Sequence, residues 1–271
     1  MKLGIINYWH EPGFVYAAAK NLDFLEFDVN HDYPSEKFAE QTDNIINWSK
    51  RYGVAVGAIG RWGETRINPD GNGFNDVGYK SDLSLIESAA KVGCPVYVCG
   101  VNYVESKSYE ENIETAIAYL SELVKFGKEK GVKIAVYNCS WNSFVVNPKA
   151  WSKILPHVKD LGIKYDPSHT LGRDDDMFAE LRDYGKYVYH FHVKGFIKIE
   201  GREYDNPPAG LDMIQWGAVM NMLYANGYKG GLSIEPHSSK WRGRRGEWGV
   251  DFTIKYMKQF LMPDELDQLW D

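Results

Sequence analysis

YHFHVKG, residues 189–195, reads as a β-strand that ends in chemistry: aromatic residues and histidines alternate up to Lys194 and a turn-forming glycine. Two other segments repeat the plan. YDPSHT (165–170) and LSIEPH (232–237) each run from apolar or aromatic residues into Asp, Glu or His. Together the three supply Asp166, His169, His190, His192, Glu235 and His237. In barrels of alternating strands and helices, chemistry gathers at the carboxyl ends of the strands, where the loops open on one face. Three strand ends rich in oxygen and nitrogen donors therefore predict one shared metal or proton-transfer site.

Outward from these segments, strand and helix alternate to both ends of the chain. Strands are predicted over 2–7, 23–29, 53–60, 95–100, 132–138, 163–169, 187–194 and 230–237. Helices are predicted over 12–20, 35–52, 79–92, 109–130, onward from about 148, about 175–185, 212–227 and 250–261. The clearest is 109–130, where Ile113, Ala116, Ile117, Leu120 and Val124 recur at helical spacing and Gly131 supplies the stop. Eight strands alternating with eight helices imply parallel pairing and closure. The expected fold is α/β, a single (β/α)8 TIM barrel domain spanning residues 1–271. Two long connections, 61–76 and 195–210, fall on the carboxyl-end face, where they can roof a site.

Composition sets the limits of function. With 44% hydrophobic and 25% charged residues, the 271-residue chain is neither disordered nor collagen-like. A net charge of −6 gives no reason to expect a nucleic-acid partner. No apolar run reaches the roughly 18 residues that cross a bilayer, and the opening MKLGIINYW turns polar too soon for a secretory signal. Cys94, Cys99 and Cys139 lack metal spacing and read as reduced thiols. A cytoplasmic protein without a membrane partner is expected. A homo-oligomer is compatible with such a barrel, although no segment specifies one.

The ordered set YDPSH, HFHVKG and GYKGGLSIEPH, with its D-x-x-H pair and His-x-His strand, resembles the xylose-isomerase-like superfamily of sugar isomerases and epimerases. The resemblance covers essentially the whole chain. It implies a carbohydrate substrate and a divalent metal (Mn, Mg, Zn or Co) on Asp166, His192 and Glu235, with His169 touching substrate or metal-bound water. Strand five departs from the pattern. The family usually ends it in a metal-binding glutamate, whereas VKIAVYNCSWNSF has Tyr137, then Asn138, and no acid further on. The departure implies weakened metal binding and leaves Glu235 without a second base.

A metal at such a site would polarise a sugar carbonyl and acidify the adjacent C–H, so that proton loss gives an enediolate. Glu235 or His169 is the candidate base, and Lys194 the candidate partner of the developing oxyanion. Trp9 and His10 at the end of strand one, Glu26 in strand two, Tyr137, Asn138 and His190 are candidate substrate contacts. Arg242, in SSKWRGRRGEWG (238–249), is a candidate for a substrate phosphate or carboxylate; pairing of these arginines with Asp174, Asp175, Asp176 or Glu247 is the alternative. The expectation is a metal-dependent sugar isomerase or epimerase. The missing glutamate keeps two others open: a keto-sugar lyase, hydratase or hydrolase with a single base, and a sugar-binding barrel without catalysis. DNA-repair nucleases of the same superfamily need a basic groove and many more ligands than seven histidines can help supply, and are set aside.

Overall fold

The computed structural model describes residues 1–263. Eight strands form the barrel: β1 (Lys2–Ile6), β2 (Phe24–Asp28), β3 (Ala55–Gly60), β4 (Val96–Cys99), β5 (Lys133–Tyr137), β6 (Leu161–Tyr165), β7 (Val188–Val193) and β8 (Gly231–Ile234). Each pairs in parallel with its neighbour, and β1 closes on β8 through Ile5 and Ile234. The architecture is a single (β/α)8 barrel. The tail of the expected 1–271 domain, 264–271, lies outside the described residues.

Strand alternation divides the side chains between the barrel interior and the helical layer. On β2, Leu25 and Phe27 face outward, where Phe27 meets Phe14 edge-on and Phe38 at a tilt; Glu26 faces in. The interior has two characters. Ala58, Val96, Val98, Ala135 and Tyr137 make an apolar wall with Trp62, while the opposite wall carries Glu26, Lys164, His190, His192 and Ser233, all buried. Phe24 plugs the amino end. A Cβ on Gly4, Gly57 or Gly231 would fall 2.2–2.7 Å from its ring, so only glycine leaves room there.

Several elements differ from the sequence-based expectation. β6 stops at Tyr165, because the Asp166 carboxylate accepts from the Ser168 N–H and Pro167 opens a short helix, Pro167–Gly172. His169 therefore sits on a helix rather than a strand. β1 stops at Ile6, leaving Trp9 and His10 in the bend before helix Glu11–Ala19. The predicted helix 35–52 splits into Ser35–Ala39 and Thr42–Tyr52. The 195–210 connection folds into a hairpin, Ile197–Ile199 with Arg202–Asp205. The last helix starts earlier than expected, at Gly243, and absorbs the arginine-rich stretch. No helix among the described residues is long and apolar enough to cross a membrane.

Candidate active site

The polar wall rises in layers toward the carboxyl ends of the strands. Deepest is Glu26, whose carboxylate lies 2.7 Å from His190 Nε2 and 2.9 Å from His192 Nε2. Two irregularities in strand register help to set this layer. Pairing slips between Leu25 and Glu26 on β2 and between Ile163 and Lys164 on β6, which re-aims the inward side chains above each slip. At the next level His192 Nδ1 meets Glu235 Oε2 at 2.8 Å. Lys194 follows His192 on the same strand face; its Nζ lies 3.0 Å from Asp166 Oδ2, 3.1 Å from His169 Nε2 and 3.4 Å from Glu235 Oε2. A second ammonium, Lys164, stands 3.9 Å from Asp166 Oδ2 and 5.9 Å from the Trp62 ring centre.

Lys164, His169, His192, Lys194 and Glu235 line a cavity of about 410 Å³ at the barrel mouth, with Asp28, Asn30, Trp62 and Trp141 among its other walls. That volume is in the range of small-molecule sites. A larger neighbouring space, about 650 Å³, shares Ile6, Asp28 and Pro236 with it and is lined further by Trp9, Trp241 and Arg242. Trp62 is fixed from behind by stacking on Tyr137, with ring centres 5.5 Å apart and planes at 14°.

Charge states follow from the packing. Burial works against the Glu235 and Asp166 carboxylates, but Lys194 chiefly, with hydrogen bonds from His192 and His237 to Glu235 and the charge of Lys164 beside Asp166, holds both well below the usual carboxylate range. Burial also opposes the charge on Lys194, and Asp166 and Glu235 more than restore it. His192 is raised against its burial by Glu26 and by the hydrogen bond to Glu235. His169 is pushed down to about 3 by burial and by the two lysines, so its ring is neutral and its Nε2 accepts from Lys194. Asp28 moves the other way. It is open to the cavity but walled by protein, and burial, then the charges of Glu26 and Glu235, push its carboxyl up to about 7.

Asp166, His192 and Glu235 do come within reach of one another, as a metal site would require. Their surroundings do not suit a divalent ion. Lys194 Nζ already stands between the two carboxylates, and Lys164 backs Asp166. Both nitrogens of His192 face carboxylates, so neither is turned toward an open coordination position. A divalent ion about 4 Å from one ammonium would meet roughly 8 kcal/mol of repulsion at an effective dielectric of about 20. Asp166 Oδ2 is buried without a well-aligned hydrogen bond, which would invite a cation; Lys194 is the cation beside it. A second donor set, Glu26, His190 and His192, is closed by its own hydrogen bonds.

The other candidates are scattered by role. Tyr137 is fully buried, and its hydroxyl donates to the Trp141 carbonyl at 2.9 Å. Asn138 is also buried and clamps the Asp166 backbone, donating to its carbonyl at 2.8 Å and accepting from its N–H at 3.0 Å. His190 reaches Glu26 below the cavity. Trp9 and Arg242 line the neighbouring space, and His10 heads the first helix. The acids considered as partners for the arginines are engaged elsewhere: Asp174 with Lys198, Asp175 with Arg173, Glu247 with Lys20, and Asp176 as a helix cap. Sequence reasoning passed over Asp28, Lys164 and Trp62. Asp28 and Lys164 carried a readable signal, each lying two positions from a named residue, Glu26 or Asp166, on the same strand face.

Comparison with known proteins agrees with the barrel fold. The structure superposes on the 3-keto-D-glucoside 4-epimerase YcjR of E. coli with a TM-score of 0.75 at 16% identity, covering 96% of this chain and 99% of that one. It superposes on the D-psicose 3-epimerase of Clostridium cellulolyticum H10 with a TM-score of 0.75 at 15% identity, covering 97% and 100%. The probable 3-DHS dehydratase AsbF of Bacillus anthracis gives a TM-score of 0.72 at 11% identity, covering 95% and 99%. At such identities the likeness is one of fold. No curated protein matches the sequence. Residues 14–259 match the family model described as xylose isomerase-like TIM barrel, and the chain belongs to that family.

Proposed function

We propose that this chain is an enzyme of sugar isomerase or epimerase type, moving a proton at the carbon next to the carbonyl of a keto-sugar or sugar derivative. The observation that carries the reading is one cavity lined by two carboxyl groups, Asp28 and Glu235, with the ammonium of Lys194 beside the second. Environments that push paired titratable groups apart provide an acid and a base at one pH. Glu235, kept ionised, accepts the C–H proton. Asp28, protonated below about pH 7, returns one to the resulting enediolate. Lys194 stabilises the oxyanion that forms on the former carbonyl, and His169 holds Lys194 in position through Nε2. Trp62 and Trp141 offer aromatic faces to the sugar. The fold shared with two sugar epimerases supports the substrate class.

Elimination is the second reading, favoured by Tyr137 where the family's strand-five glutamate would stand: Glu235 removes the proton and the enediolate expels a β-substituent. Both are tested by incubating the protein in D₂O with ketohexoses and 3-keto-glycosides and following the sugar by NMR. Deuterium at the carbon beside the carbonyl, with an isomer or epimer as product, is the expected result. Glu235→Gln should lower the rate by about 10²–10⁴-fold. Loss of the β-substituent would replace isomerisation by elimination. Sugar that binds without any exchange would overturn both in favour of a binding barrel.

A further inference from the structure

Three ammonium distances bear on the reaction and on the family resemblance alike. Lys194 Nζ is 3.0 Å from Asp166 Oδ2 and 3.4 Å from Glu235 Oε2, the two carboxylates that the resemblance assigns to a metal. Lys164 Nζ adds a second positive charge 3.9 Å from Asp166. We propose that this barrel works without a divalent metal, and that Lys194, backed by Lys164, is the resident cation of its site. The inference rests on the proton-transfer reading above only for what the cation does; where it sits is a matter of geometry.

Four independent features agree. The metal-binding glutamate expected on strand five is Tyr137, whose hydroxyl is engaged by the Trp141 carbonyl and whose ring belongs to the apolar wall behind Trp62. The carboxylates of Asp166 and Glu235 are matched by two ammoniums, which leaves no formal negative charge between them for a doubly charged ion. His192 has both ring nitrogens committed, to Glu235 and to Glu26. Lys194 is itself held from a third side by His169 and has little freedom to swing out of the way; it is buried. An ammonium can do part of a metal's work. It donates hydrogen bonds to a carbonyl oxygen and stabilises the negative charge that develops there, although it cannot chelate two oxygens as a metal does. The substrate class that follows is a ketone that needs one oxyanion contact.

The test reads metal binding without any sugar, so it is independent of which reaction, if any, is catalysed. The full chain is titrated with Mn²⁺ while the EPR signal of free Mn²⁺ is followed, alongside Lys194→Met, and melting temperatures are taken for both with and without Mn²⁺. Wild type should leave the Mn²⁺ signal undiminished into the millimolar range and melt at the same temperature with or without the ion. Lys194→Met, in which Asp166 and Glu235 face each other without the ammonium, should gain Mn²⁺ binding and a raised melting temperature in its presence. One equivalent of Mn²⁺ bound by wild type and lost in Asp166→Asn would overturn the proposal. So would a Lys194→Met protein that folds and still ignores Mn²⁺, because the ammonium would then not be what holds the ion's place. If that variant fails to fold, the wild-type titration alone decides.

Discussion

Asp28 and Glu235 share a cavity yet lie on opposite sides of the ordinary carboxyl value, because burial, then the charges of Glu26 and Glu235, raises the first, while Lys194 lowers the second against its burial. The active form has Glu235 ionised and Asp28 protonated. As pH rises through about 7, Asp28 loses its proton, and kcat/KM for the sugar should fall on that alkaline side. Asp28→Asn removes the titrating group. Its residual rate should be lower by about 10²-fold or more and flat through pH 7, a profile that stopped-assay NMR at several pH values would read. An unchanged alkaline limb in Asp28→Asn would assign that limb to another group. At this scale the sequence was legible where alternation alone decides direction: His190 and His192 do share one face of β7 and point inward. It was not legible where a partner arrives from far along the chain. Nothing near Tyr137 announces that Trp62 will stack on it, or that Gly100 leaves space for its ring, with a Cβ there falling 2.4 Å away.

Elements carry these residues, and the 61–75 connection shows how a loop becomes a wall. Arg66 is fully buried and pairs with Asp82 of helix Asp76–Val92 through Nε at 2.8 Å and Nη2 at 3.0 Å. Tyr97 and Tyr119 donate to the same carboxylate at 2.7 and 2.8 Å, so four hydrogen bonds converge on one side chain. The loop is thereby tied to the body of the barrel a few residues beyond Trp62. Asp82→Ala would leave the Arg66 charge buried and uncompensated, and should cost about 3–5 kcal/mol in chemical denaturation. A loss below about 1 kcal/mol would mean that water or another acid takes over the contact. Sequence reading identified this connection as able to roof the site from its length and position, but could not see its anchor, since Arg66 and Asp82 look like ordinary surface charges until the fold buries them. The strand six boundary failed for a related reason: Asp166 is both a helix cap and a site residue, so the strand signal of IKYDPSH ran on past the point where Pro167 turns the chain.

Across the whole molecule, the site's unusual charge states must appear in the pH dependence of stability. His169 has its pKa lowered from about 6.5 in the unfolded chain to about 3, so between those values the unfolded state binds the extra proton and stability rises with pH. Asp28 is raised from 3.8 to about 7, so over nearly the same window the folded state binds the extra proton and stability falls with pH. The two slopes oppose each other. Removing one should expose the other: relative to wild type, Asp28→Asn should steepen the rise of stability with pH between about 4 and 6.5, and His169→Asn should reverse it. Each change in slope is bounded by about 1.4 kcal/mol per pH unit, the limit for one proton, and is smaller for Asp28 because the cavity admits solvent to it. The double variant should return to the wild-type slope, because the opposing terms leave together. Melting temperatures of the four proteins across pH 4–7 measure this directly. Parallel curves for all four would mean that neither group keeps its shifted state in the folded barrel, and the assignment of Asp28 as proton donor would fall with them.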